Sequence, residues 1–411
     1  MFELIRANQR RSALLVAAVA GLLLAMGYAL GEVVQPGSGP VGLLAGFALW
    51  IVLALVSYSS GDSIFLSLAG GRKIEKSDHP VLFNVVEEMC VASGLPRPPE
   101  IYVIDQDAPN AFATGRGPDR ASVAVTAGLL ERLGRDELQG VIAHELAHVR
   151  NRDVLYLMML GTMAGAVVIL ADVGRRFLWY GGGRRRTSDK SGGGAAIILV
   201  IALVLMIVAP IVAQLLYLAV SRRREYLADA CGARFTRYPE GLASALEKIS
   251  ASPARLQGVS RATAPAYIHD PLAVAGALGA SSWGSTHPPI AQRIQILRSM
   301  AGESSLARYQ ESFARVTRRP VGVLPAAALA ADAAADSAPA APRAPAPPDA
   351  RTRVDRVRET TDMLWRLKGY AFLPCACGTT IKAPPAYAGQ TLACPQCGAS
   401  LRVPAPAAAA G

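Results

Sequence analysis

The pattern of apolar and polar positions is dominated by four long uncharged stretches, residues 12–31, 41–58, 154–171 and 195–220. Each is close to the roughly 18–25 apolar residues that cross the hydrocarbon of a bilayer at about 1.5 Å per residue. Four membrane-spanning helices are therefore expected. A cleaved signal peptide is the competing reading of the first stretch. It fits poorly, because the run is long for an h-region and no small-x-small site follows it.

Flanking charge sets an expected topology. Arg6, Arg10 and Arg11 place the N-terminus in the cytoplasm, and the first loop carries only Glu32. Residues 62–153 then return to the cytoplasm. The last two apolar stretches form a hairpin whose tip, 172–194, holds six basic residues. Full crossing puts that tip outside, against the positive-inside preference; the other reading is a shallow or protein-buried hairpin. Crossing is the reading taken, since Arg150, Arg152 and Arg222 to Arg224 flank the hairpin on the cytoplasmic side.

Between the apolar stretches the pattern changes. His79-Pro80 opens a helical periodicity over 81–92. Residues 101–104 and 121–126 read as strands. Asp136 is placed to cap a helix reaching about residue 151. Residues 221–318 read as largely helical. The expected domains are 1–61 with two membrane helices, 62–318 as a catalytic domain interrupted by the hairpin 154–220, a Pro/Ala-rich linker over 319–350, and a basic helix with a small cysteine module over 351–411.

Composition agrees. Mean hydropathy is +0.29, and 52% of the 411 residues are hydrophobic against 18% charged. That excludes overall disorder, and the absence of a G-X-Y repeat excludes collagen.

The chemistry concentrates in HELAH, residues 144–148. His144 and His148, at i and i+4, share one helix face and can reach one Zn²⁺. Glu145 beside them can take a proton from an activated water. Two unrelated surface histidines are the bland alternative. Catalytic zinc usually has three protein ligands. The other histidines are His79, His269 and His287, so a carboxylate is the better third ligand. SRRREYLADA (221–230) offers Glu225, with Asp229 four residues on to fix a ligand imidazole. By spacing alone, an ordinary acidic pair on a helix fits equally well. If His144, His148 and Glu225 share one ion, residues 153 and 221 lie on the same side of the membrane.

NAFATG (110–115), HELAH, SRRREYLADA and THPPIAQRI (286–294) together resemble the HtpX-type membrane zinc metallopeptidases, relatives of the CAAX prenyl proteases. The resemblance covers about residues 1–300. It implies an integral-membrane, mainly helical fold with a zincin-type α/β catalytic domain. It implies His144, His148 and Glu225 as zinc ligands and Glu145 as the base. It also implies that Asn110, His287 and Arg293 contact the substrate or the tetrahedral intermediate. The implied activity is endopeptidase cleavage of misfolded or membrane proteins, with maturation of one defined partner as the rival. The implied location is a bacterial inner membrane, with the catalytic domain and C-terminus cytoplasmic. The basic loop 172–194 and the tail beyond about 320 depart from the usual short family member.

The tail carries Cys375, Cys377, Cys394 and Cys397, with the echo CGTTIKAP and CGASLRVP. This is a two-knuckle zinc-ribbon pattern suited to a closed structural zinc, and its first pair is C-x-C rather than C-x-x-C. Two disulfides are the alternative, disfavoured on a reducing cytoplasmic face. Such a site performs no chemistry, and it serves to bind a partner or substrate not identified by the sequence. An adaptor in which the ribbon is the functional part is the reading from another class. The preceding basic run is interleaved with Asp355 and Glu359, which favours a solvated or lipid-facing helix over nucleic acid. Cys90 and Cys231 sit in apolar helices and read as buried thiols.

Overall fold

The computed structural model describes residues 2–176, 194–257, 259, 267–269, 287–300, 303–318, 322–324, 326–335, 343–345 and 351–404. Most of the basic hairpin tip, from residue 177 on, lies outside them.

The first two apolar stretches form α1 (Phe2–Val34) and α2 (Gly39–Leu68). The turn between them is closed by Glu32, whose carboxylate accepts the amides of Gly37 and Gly39, each at 2.9 Å. The two helices touch backbone to backbone at Gly27 and Gly42. A Cβ on Gly42 would stand 2.1 Å from the Gly27 carbonyl oxygen. Small residues at such crossings are how apolar helices pack where lipid offers no hydrophobic drive.

The hairpin consists of α6 (Asp153–Arg176) and α7 (Gly194–Thr236). Val19, Leu23, Met26, Leu160, Met163, Val167, Ala202 and Met206 form a common buried core with α1. Leu44, Val52 and Leu55 on α2, Ile169 and Val173 on α6, and Val200 and Ile211 on α7 face outward. An apolar surface of that extent suits lipid. Among the described residues, three helices are long and apolar enough to span, Ala13–Val34, Gly39–Leu68 and Asp153–Arg176. Of the fourth stretch, the described apolar part is Val200–Ala213. It is not a separate element: α7 runs for 43 residues, through Pro210 and on into the segment that carries Glu225.

A four-stranded sheet of order β1-β2-β4-β3 underlies the catalytic part. Its strands are β1 (Gly71–Lys73), β2 (Glu100–Ile104), β3 (Ala111–Gly117) and β4 (Arg120–Thr126). β2 and β4 run parallel, and the other neighbours are antiparallel. The spacing over 101–104 and 121–126 anticipates β2 and β4, whereas β3 escapes it. β3 (AFATGRG) is buried along its first five residues, as β4 is along its last five, but its Ala and Gly lack the β-branched residues that mark β4.

α3 (Pro80–Ser93), α4 (Ala127–Arg132) and α5 (Arg135–Arg150) pack with the sheet, their core built from Leu82, Val86, Val125, Leu129, Ile142 and Leu146. α5 begins two residues earlier than the sequence suggests. Gly134 is its cap residue, and Asp136 and Glu137 fill the first turn. Glu137 reaches back to accept the Gly134 amide at 2.7 Å, while Asp136, expected as the cap, lies inside the first turn. α8 (Pro239–Ser250), α9 (Ile290–Arg298) and α10 (Leu306–Thr317) complete this body.

The C-terminal extension is not a free tether. Within the Pro/Ala-rich stretch, α11 (Ala326–Ala335) forms, and its buried Asp332 accepts the Leu306 amide at 2.7 Å and pairs with Arg234 of α7. α12 (Arg353–Leu367) docks on the catalytic part. Its Met363 is fully buried in the main core, Arg356 donates to the Glu131 carbonyl, and Lys368 pairs with Asp105 at 2.6 Å. The expectation of a solvated or lipid-facing helix is corrected for this face by that packing. Two hairpins follow, β5 (Ala371–Pro374) with β6 (Thr380–Ala383), and β7 (Thr391–Ala393) with β8 (Ser400–Arg402).

Candidate metal centre

α5 presents His144 and His148 on one face, and α7 lies across it with Glu225 opposite. The Nε2 atoms of the two histidines are 3.3 Å apart. Glu225 Oε1 is 3.4 Å from His148 Nε2, and Oε2 is 3.6 Å from His144 Nε2. Zinc bonds of about 2.0–2.2 Å in a tetrahedron separate their donor atoms by about 3.3–3.6 Å. The donor set therefore fits a zinc ion. Glu145 Oε1 is buried without a hydrogen-bond partner, as expected where a reacting molecule completes the site.

Each ligand imidazole is held from behind. His144 Nδ1 is 3.0 Å from Asp229 Oδ1, the partner anticipated for Asp229. His148 Nδ1 is 3.2 Å from Asp153 Oδ2, which the spacing does not predict. Burial alone would lower the His148 pKa, but hydrogen bonds to Asp153 and Glu225 outweigh it and hold the metal-free imidazole up at about 10. Burial would raise Glu225, yet His287, His144, His148 and Arg293 keep its carboxyl well below the usual carboxylate range. Glu145 moves the other way: burial dominates and raises it.

Arg293 is 1% exposed. Its Nε and Nη2 grip the Asp229 carboxylate at 2.8 and 2.7 Å, and its Nη1 lies 3.0 Å from the Ile268 carbonyl and 3.1 Å from Glu225 Oε2. The guanidinium is thus committed to ligand-bearing residues. It also comes within 3.4 Å of the His144 ring. His287, 6% exposed, does border the site, with Nε2 3.9 Å from Glu225 Oε2.

Asn110 stands just before the edge strand β3. Its Nδ2 donates to the His269 carbonyl at 3.0 Å and its Oδ1 accepts the Ala111 amide at 3.0 Å and the His269 amide at 3.3 Å. Ile268 donates to the Ala111 carbonyl, and Tyr267 bridges Phe112 antiparallel. A short piece of the chain itself therefore lies along the start of β3 as an extended peptide would, and it occupies the Asn110 amide expected to meet substrate.

In the C-terminal hairpins, the sulfurs of Cys375, Cys377, Cys394 and Cys397 all lie within 4.8 Å of one another. Two of the separations are 3.4 and 3.7 Å, and no disulfide joins these cysteines. Zn–S bonds of about 2.3 Å imply tetrahedral S···S separations of about 3.8 Å. Hydrogen bonds from Thr379 pull the Cys377 thiol down to about 6. Cys90 and Cys231 are both buried, and burial pushes Cys231 up to about 12, which argues against a reactive thiol.

Comparison with known proteins places this arrangement. The sequence pattern of peptidase family M48 matches residues 76–301. A protease HtpX homolog of Thermoanaerobacter pseudethanolicus is 41% identical over 300 residues, which are 73% of this chain and 98% of that protein. Another from Dictyoglomus thermophilum is 43% identical over 299 residues, 73% of this chain and 94% of that protein. The crystal structure of S. mikatae Ste24p aligns with 72% of this chain and 67% of its own, at a TM-score of 0.41 and 18% identity.

Proposed function

Since the chain belongs to peptidase family M48 and is a membrane zinc metalloprotease, we propose that it cleaves extended segments of misfolded or membrane proteins at the centre formed by His144, Glu145, His148 and Glu225. The observation that carries the assignment is the spacing of three ligand atoms at 3.3–3.6 Å beside the unpartnered Glu145 Oε1.

Zinc, when bound there, supplies Lewis-acid polarisation of a carbonyl and a water of lowered pKa. The remaining work falls to side chains. Glu145, raised by burial, takes the proton of the attacking water and returns it to the leaving amine. His287 faces the ligands and is the residue placed to donate to the oxyanion. Arg293, whose donors are already engaged, orients Asp229 and Glu225 instead. Backbone groups of β3 receive the substrate as an added strand. The antiparallel bridge between Tyr267 and Phe112 supports that edge as one able to accept extended chain.

The cysteine cluster holds a second, structural zinc in this reading, supported by the sulfur separations. α7 is the fourth span, and the catalytic part and C-terminus face the cytoplasm of a bacterial inner membrane. That orientation rests on the basic flanks of the first and last apolar stretches. The ribbon's external partner and the substrates remain defined only by class: extended protein chain for the centre, and the bilayer for the helices.

The test is Glu145→Gln in the full chain, followed by zinc content and casein cleavage. Cleavage should fall about 10²–10⁴-fold with zinc content unchanged. Undiminished zinc-dependent cleavage would sink the mechanism.

A further inference from the structure

We propose that Asp153 and Arg224 are positioning residues of the metal centre: Asp153 fixes the His148 imidazole with Nε2 turned to the ion, and Arg224 fixes Asp153. The proposal rests on the metallopeptidase reading and adds two residues to it.

The geometry forms a chain. His148 Nε2 faces the other ligands, which leaves Nδ1 as the ring's free nitrogen, 3.2 Å from Asp153 Oδ2. Asp153 and Arg224 are 2% and 4% exposed. Arg224 Nε is 3.4 Å from Asp153 Oδ1, and its Nη1 donates to the Asp153 carbonyl at 3.0 Å. The same construction stands behind the other ligand, where Asp229 backs His144 and Arg293 grips Asp229. A carboxylate on the distal N–H of a ligand imidazole selects the tautomer that leaves Nε2 free, fixes the ring plane and raises its basicity. An unbacked His148 would also populate the tautomer that carries its proton on Nε2 and cannot bind the ion through that atom.

The chain has to be bent to build this contact. On an unbroken helix, a residue five places after His148 would sit about 140° around the axis from it. α5 instead ends at Arg150, Asn151 follows as its cap, and Arg152 adopts φ 57°. This left-handed residue turns Asp153, the first residue of α6, back toward His148. Arg224 precedes the ligand Glu225 on α7. The two helices of the hairpin therefore meet at one ion pair directly behind a metal ligand.

The experiment uses the full-length protein in detergent, with zinc affinity read by chelator competition and the site's geometry by the visible absorption of the cobalt-substituted form. Asp153→Ala should weaken zinc binding about 10–100-fold. Asp153→Asn, nearly isosteric, should weaken it less and shift the cobalt bands. Arg224→Gln should act in the same direction, and the double variant Asp153→Asn/Arg224→Gln should lose less than the product of the single losses. If Asp153→Ala does not fold, Asp153→Asn decides. Unchanged zinc affinity and cobalt spectrum in folded Asp153→Asn overturn the proposal, even if its melting temperature falls. A wild-type protein with no zinc that is lost on His144→Ala would instead overturn the metallopeptidase reading beneath it.

Discussion

At the scale of single residues, the centre is an exercise in compensating buried charge. Glu225, Asp229, Arg293, His144 and Asp153 are all within the interior, where an unpaired ion is costly. Arg293 balances two carboxylates at once. Arg293→Met should therefore destabilise the metal-free protein by about 3–5 kcal/mol, measured by thermal or denaturant unfolding, because the buried Asp229 loses its guanidinium and keeps only the His144 imidazole. Zinc should recover part of that loss, since the ion also neutralises Glu225. The histidine pair and its glutamate are legible in the sequence because a helix repeats its face every three to four residues. Asp153 is not legible: its approach to His148 depends on the left-handed turn at Arg152, and no spacing rule encodes it.

At the scale of elements, His79 links helix formation to pH. Its Nδ1 accepts the Leu82 amide at 3.1 Å and so caps α3. Only the neutral ring can accept there. Burial lowers the folded pKa from 6.5, a shift that Glu359 of α12 only partly opposes. The stability this contributes is present above about pH 6.5 and is lost as the pH falls through the depressed folded value. His79→Ala should cost about 1 kcal/mol at pH 8. His79→Asn should keep the cap and flatten the fall in stability between about pH 7 and 5, read from unfolding midpoints across that range. β4, with Val123, Val125 and Thr126, was legible although its last five residues are buried; β3, as buried along its first five but rich in Ala and Gly (AFATGRG), was not.

At the scale of the whole molecule, the extension beyond the family's usual length is built into the catalytic part. Met363 and Leu324 lie in the same core as Leu146 of α5. Met363→Ala should cost about 2–5 kcal/mol and lower the melting temperature of the protease itself. A chain ending at residue 318 should be less stable and less active than the full chain, contrary to a tethered-domain arrangement in which activity survives the cut. Cys394→Ser should remove one equivalent of zinc by elemental analysis while the His144 site keeps its own.

The sequence alone determined the apolar helices, the pairing of His144 and His148 on one helix face beside Glu145, and the cysteine quartet. All of these are encoded locally, by run length, helical repeat or paired spacing. Tertiary structure decided what depends on approach between distant segments. It brought Glu225 to the histidines, assigned Arg293 to carboxylates, placed Asp153 behind His148, and laid Tyr267 along β3. Such contacts follow from how buried charges must be paired once helices and strands have packed, and that pairing exists only in the folded chain.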